Sequence, residues 1–250
     1  MSVLLHIGMY KTGSTSIQLW LRDHPELLAE FGARFPHGWL RRDNHLELAL
    51  ALLDPNRLSP ARMRGDEWRD LAWRDDLEMQ IAGDLARHSA LTVLSAEDTC
   101  LLRSDAELGA LRHLIGDAHI VVYLRDRTSF LAAWEDTLRH KLNLPLSSDP
   151  DAFNCVLPQS ELIDYSRLLD RWRAHFSQVT VLDYDRIVTR DGSVIPSFAA
   201  LLGIRILGDL DAYWMNGRGG SYDHREPGLR WTTGQSFGEV PCESPSLVLD

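Results

Sequence analysis

The opening residues constrain the fold more than any other stretch. Val3-Leu4-Leu5-His6-Ile7 is a short apolar run that ends on Gly8, and a helical pattern begins at about Thr15. A buried strand that hands over to a helix through a glycine-containing turn is the start of a βα unit. The turn reads Gly8-Met9-Tyr10-Lys11-Thr12-Gly13-Ser14-Thr15-Ser16. A helix start directs unpaired N–H groups and the positive end of the helix dipole outward, which favours an anion. Gly8 and Gly13 let the backbone wrap closely round a phosphate. Ser14, Thr15 and Ser16 add hydroxyls, and Lys11 adds a small point charge. The lysine precedes the second glycine, so the order G-x-x-x-x-G-K-[ST] of the nucleotide triphosphatase loop is not matched.

The same alternation continues down the chain. Further buried strands are expected at 90–94, 119–124 and 179–184, with helices at 15–28 (interrupted near Pro25), 44–53, 66–88, 105–115, 128–140, 161–176 and 197–202. Segments 30–43 and 142–158 read as loops. Strands that alternate with helices imply βαβ units, and so a three-layer, P-loop-like α/β fold with a mostly parallel central sheet flanked by helices. Periodicity fades after Asp211, where glycines and prolines such as Gly217, Gly219, Pro227 and Pro241 take over. Residues 1–210 are therefore expected to form one domain, and 211–250 an irregular tail.

Composition narrows the function. The chain has 250 residues, 44% of them hydrophobic, and a formal charge of −10. An acidic chain without a long basic run is a poor general nucleic-acid binder. No stretch is long and apolar enough to cross a bilayer, and no cationic leader precedes Val3, so a cytoplasmic location is expected. Cys100, Cys155 and Cys242 are odd in number and widely spaced, which makes neither a disulfide framework nor a zinc cluster. The histidines show no ligand spacing, and no metal site is expected. Of the 26 basic residues only Lys11 and Lys141 are lysines. One of the two stands in the glycine turn, where ammonium and guanidinium are not interchangeable.

On these residues the sequence resembles the PAPS-dependent sulfotransferases, in their bacterial form. His6-Ile7-Gly8-x-x-Lys11-Thr12-Gly13-Ser14-Thr15-Ser16-Ile17-Gln18 is similar to that family's 5′-phosphosulfate loop. Val121-Val122-Tyr123-Leu124-Arg125 is similar to the strand whose closing arginine binds the 3′-phosphate of the nucleotide. The family's serine eight residues on is Ala133 here, and Ser129, one helical turn earlier, is the candidate to replace it. A weaker likeness is Val181-Leu182-Asp183-Tyr184-Asp185, which resembles a strand ending in Tyr-Glu. The resemblance spans residues 3–205. It implies PAPS as sulfate donor without a metal, and a hydroxyl acceptor, a carbohydrate in particular. It also implies nucleotide contacts from Gly8, Lys11, Thr12, Gly13, Ser14, Thr15, Ser16, Arg125 and Ser129.

Sulfuryl transfer to a hydroxyl needs charge stabilisation, assigned here to Lys11, and a general base. Two residues are candidates for the base. Glu97 follows the second strand, at the carboxyl-end crevice where α/β proteins bind ligands. His45 stands at a helix start after the first helix and titrates near neutrality when unperturbed. The loops around 32–65 and 142–158 are expected to shape the acceptor site. Two other classes stay open: a P-loop small-molecule kinase, and a degenerate sulfotransferase-like binding protein.

Overall fold

The computed structural model describes residues 2–38, 43–64, 71–88, 90–207 and 230–232. Five strands build the central sheet: β1 (Val3–His6), β2 (Ala33–Arg34), β3 (Leu91–Ser95), β4 (His119–Leu124) and β5 (Gln178–Asp183). They lie in the order β2-β3-β1-β4-β5, and every pairing is parallel. Val3 to His6 face Thr92 to Ser95 on one side, while Leu4 to His6 face His119 to Val121 on the other. Parallel neighbours require crossovers, and helices supply them. The α/β expectation holds.

Alternation along the strands sorts side chains to the two faces. Val3, Leu5 and Ile7 join Ile120, Val122 and Leu124 in one buried cluster. That cluster is closed by α3 (Leu46–Leu52), α4 (Leu71–Ala86), α5 (Asp105–Ile115), α6 (Arg127–Asp136) and α7 (Tyr165–His175). Leu4, Val93, Val121 and Tyr123 point the other way. They pack on α1 (Ser14–Asp23), α2 (Pro25–Glu30), α8 (Tyr184–Asp191) and α9 (Ile195–Leu201). β1, β3 and β4 are buried on both faces and have no polar side to show, which is why they read as apolar runs, while the edge strand β5 is partly exposed.

Local chemistry sets the element ends. Ser104 caps α5 by a reciprocal box: its Oγ accepts the Glu107 N–H, and the Glu107 carboxylate accepts the Ser104 N–H. Gly116, at φ 77°, stops the same helix. Pro25 splits the expected first helix into α1 and α2. The expected helix at 128–140 ends its regular α-helical part at Asp136 and continues as one π turn, Thr137–Lys141. The two-residue β2, the helix α8 and the short strand β6 (Arg205–Leu207) are among the elements outside the expectation. Within the expected tail, β7 (Arg230–Thr232) pairs antiparallel with β6. The remaining tail positions, Cys242 among them, and the start of the helix expected from Asp66 lie outside the described residues. Cys100 and Cys155 are buried free thiols. Among the described residues no helix is long and apolar enough to cross a membrane.

Candidate active site

The turn between β1 and α1 is held in one shape by its own residues. Thr12 Oγ1 donates to the Met9 carbonyl at 2.6 Å. Lys11 has a φ of 63°, a left-handed conformation that costs a residue with a Cβ about 1–2 kcal/mol. Gly13, which caps α1, has a φ of 83°. There is no room for side chains at either glycine. A Cβ on Gly8 would lie 2.5 Å from Ser14 Oγ and 3.1 Å from Glu97 Cγ, and one on Gly13 would lie 2.8 Å from Val194 Cγ2. Ser14 is only 2% exposed, and its Oγ has no hydrogen-bond partner among the described residues. A buried hydroxyl without a partner is costly unless a ligand supplies one. Together with the closed-in glycines, this donor fits a phosphate or sulfuryl oxygen. Thr15 is exposed on the first turn of α1, and Ser16 is buried.

Arg125, immediately after β4, meets this loop directly. One guanidinium N–H donates to the Lys11 carbonyl at 3.2 Å, and Nε donates to Ser129 Oγ at 3.0 Å. Ser129 is in turn held by Asp126, whose carboxylate accepts the Ser129 N–H at 2.9 Å. The guanidinium also lies over the Tyr184 ring at 5.3 Å and 3.9 Å from an Asp185 carboxylate oxygen. Asp185 further accepts the Asp126 N–H at 2.6 Å. The weak likeness at 181–185 thus falls on residues that orient Arg125. Ala133 carries no polar group to add to this cluster.

Glu97 opens a 3-10 turn, Glu97–Leu101, directly after β3. Its side chain lies against Gly8, and its charge acts on Lys11. Partial burial lowers the Lys11 pKa. Lys141, the second lysine of the chain, acts in the same direction, and Glu97 opposes both. The loop, Lys11, Glu97, Arg125 and Ser129 therefore gather at the carboxyl ends of β1, β3 and β4.

His45 has a different setting from the one expected of a base that titrates near neutrality. It is fully buried at the N-cap of α3. Its Nδ1 accepts the Ser95 N–H at 3.0 Å, so Nε2 carries the proton and donates to the Pro36 carbonyl at 3.1 Å. Burial pulls its pKa down to about 4. Both ring nitrogens are used inside the protein, and the side chain ties the start of α3 and Pro36 to β3. His6 lies beneath the loop in the same network: its Nδ1 meets Ser95 Oγ at 2.9 Å, and Gln18 Nε2 donates to that oxygen at 3.0 Å. Burial lowers the His6 pKa to about 3.

Reading along the chain missed Tyr10 and Asp98. The Tyr10 hydroxyl donates to Asp98 Oδ1 at 2.8 Å, and its ring stacks on Trp134. No spacing rule links positions so far apart. Among the described residues, no group of three or more His, Cys, Asp or Glu side chains is arranged to hold a metal ion.

No protein-family model matches the sequence, and no curated protein matches it. Solved structures do resemble the chain. A sulfotransferase from Alicyclobacillus acidocaldarius is similar over 81% of both chains, with a TM-score of 0.53 and 18% identity. A sulfotransferase domain from the curacin biosynthetic pathway is similar over 85% of this chain and 77% of that one, with a TM-score of 0.49 and 14% identity. A sulfotransferase domain from the Synechococcus PCC 7002 olefin synthase gives 85% and 76%, a TM-score of 0.46 and 13% identity. The first likeness, together with the parallel five-stranded sheet, shows that this chain has the fold of a sulfotransferase.

Proposed function

We propose that the protein transfers a sulfuryl group from PAPS to a hydroxyl, with saccharides as the acceptor class. One observation carries the reading: the Arg125 guanidinium is bonded to the carbonyl of Lys11, so two anion-binding elements from separate strands form one surface. The loop amides and the Ser14 hydroxyl hold the 5′-phosphosulfate end. Arg125 and Ser129 hold the 3′-phosphate end, with Tyr184 and Asp185 fixing the guanidinium plane. Thr12, Gly13, Thr15 and Ser16 complete the loop.

When bound, the nucleotide supplies the sulfuryl group, and it leaves as adenosine 3′,5′-bisphosphate. Lys11 sets its ammonium where negative charge builds on the bridging oxygen as the bond from sulfur to the 5′-phosphate breaks. Glu97 takes the proton of the acceptor hydroxyl while the new bond from that oxygen to sulfur forms. A base so placed is worth about 10²–10⁴ in rate. His45 has no part in proton transfer here, because both its nitrogens are already engaged.

Calorimetric titration with adenosine 3′,5′-bisphosphate tests the reading. Wild type should bind, and Arg125→Ala should bind at least about tenfold more weakly, since a charge-assisted hydrogen bond is worth roughly 1.5–3 kcal/mol. A nucleotide that fails to bind, or binds the variant equally well, would overturn the proposal. Release of the bisphosphate from PAPS across a saccharide panel then finds the acceptor. Glu97→Gln should slow that release about 10²–10⁴-fold and leave nucleotide affinity unchanged.

A further inference from the structure

Tyr10 precedes Lys11 in the loop, yet it is buried. Its hydroxyl donates to Asp98 Oδ1 at 2.8 Å, and its ring lies on the Trp134 indole at 4.1 Å between centroids and 6° between planes. Each partner reaches further. Asp98 Oδ2 accepts the Ala61 N–H at 3.4 Å, and Trp134 Nε1 donates to the Phe153 carbonyl at 2.8 Å. Ala61, Asp98, Tyr10, Trp134 and Phe153 are all buried. They form one unbroken line from the 59–64 segment, past the residue that follows Glu97, to the 142–158 segment. Its two ends lie in the two stretches expected to shape the acceptor site, and its middle is the loop.

This line is built to be stiff. A flat aromatic stack and a hydrogen bond to a carboxylate both depend steeply on position. Asp98 is 4% exposed, so taking away a donor leaves much of the desolvation cost of its charge uncompensated. Burial first, and Asp98 second, raise the Tyr10 pKa well above the usual phenol value, which keeps the hydroxyl a donor.

We propose that Tyr10 is a positioning residue that links the nucleotide loop to both acceptor-side segments, so that nucleotide bound at the loop orders the acceptor site. The proposal rests on the nucleotide-binding reading above. An anion held at Lys11 fixes the adjacent residue, and Tyr10 passes that restraint to Asp98 and Trp134 without moving far itself. A restraint of this kind couples two sites through lost motion as well as through shape.

Backbone amide exchange read by NMR tests the link in two stages. In ligand-free protein, Tyr10→Phe should speed exchange of the Ala61 amide at least about fivefold and leave the β4 amides of Ile120 to Tyr123 unchanged. Adenosine 3′,5′-bisphosphate added to wild type should slow exchange at 8–16 and also at 59–64 and 152–155. In Tyr10→Phe, which keeps the ring stack, the slowing at 8–16 and at 152–155 should remain and the effect at 59–64 should vanish; in Tyr10→Leu, which also loses the stack, both remote effects should vanish. A packing role alone would weaken local and remote protection together. Unchanged Ala61 exchange, or protection at 59–64 that survives in Tyr10→Phe, overturns the proposal. A wild type that ignores the nucleotide overturns the sulfotransferase reading and the coupling built on it; the ligand-free stage still separates that result from a missing Tyr10–Asp98 bond. If Tyr10→Phe does not fold, Asp98→Asn is read the same way.

Discussion

Substituting Gly13 by alanine tests the loop geometry quantitatively, because two separate costs can be pulled apart. The first is conformational: at φ 83° a Cβ costs about 1–2 kcal/mol. The second is steric. The new Cβ would stand 2.8 Å from Val194 Cγ2 and 3.5 Å from Cγ1, and forced overpacking of this kind costs about 1–3 kcal/mol. Gly13→Ala alone should therefore destabilise by about 2–5 kcal/mol. Val194→Ala removes both offending methyls and leaves only Val194 Cβ, 3.7 Å away, in ordinary contact. At about 0.8 kcal/mol per buried methyl-sized group, that change alone costs about 1.6 kcal/mol. In the double variant the steric part disappears and the conformational part stays. The cycle should show a favourable coupling of about 1–3 kcal/mol. Urea denaturation of the four proteins measures it. Costs that simply add, within about 0.3–0.5 kcal/mol, would refute the steric argument. Affinity for adenosine 3′,5′-bisphosphate should follow the same pattern, lost in Gly13→Ala and partly regained in the double variant.

Three further outcomes are expected. Gly8→Ala should lower bisphosphate affinity at least about tenfold, because its Cβ displaces the Ser14 hydroxyl from 2.5 Å away, and hydrogen bonds to charged groups are worth roughly 1.5–3 kcal/mol; titration calorimetry reads this, and unchanged affinity would remove Ser14 from the site. Asp185→Asn should weaken binding no more than about fivefold, since its ion pair with Arg125 is 3.9 Å long and partly exposed, a geometry worth at most about 1 kcal/mol. The third concerns acid. His45 has a folded pKa of about 4, below the ordinary 6.5, so the unfolded chain binds a proton that the folded protein refuses. Stability from this residue is therefore complete above pH 6.5 and falls as the pH drops toward 4. Wild type should lose about 3 kcal/mol more than His45→Gln between pH 7 and pH 4, measured by urea denaturation at each pH. Parallel pH curves for the two proteins would rule out a buried, neutral His45.

The parts of the site that could be read from sequence share a physical cause. β1 and β4 are buried on both faces, so each appears as an apolar run with a sharp polar end, and the ends are Gly8 and Arg125. α5 was legible to the residue because Ser104, Glu107 and Gly116 encode both its ends locally. Where the determining contact is distant, the chain is silent. His45 looks like a surface residue at a helix start, and only its bond to the Ser95 amide reveals a buried pin. Tyr10 and Asp98 look like ordinary turn residues until the sheet brings β1 and β3 side by side. α8 escaped because it is short and half charged, with Tyr184 and Ile187 its buried side chains, although its Asp183 cap and Gly192 stop were in view. β2 is only two residues long, too short for any alternation to show.

The place of β1 in the middle of the sheet has a consequence for how the protein is made. β1 leaves the ribosome before either of its neighbours is made: Val3 pairs with Thr92, and Leu4 with His119. Contacts this far apart along the chain are slow to form, because loop closure comes before any gain from pairing. The glycine turn at the end of β1 therefore cannot take its working shape until β4 has been added, and Arg125 follows β4 by a single residue. Nascent chains stalled before that point should lack nucleotide affinity, and those released past the end of β5 should have it. Capture of a nucleotide would then serve as a time stamp for completion of the sheet.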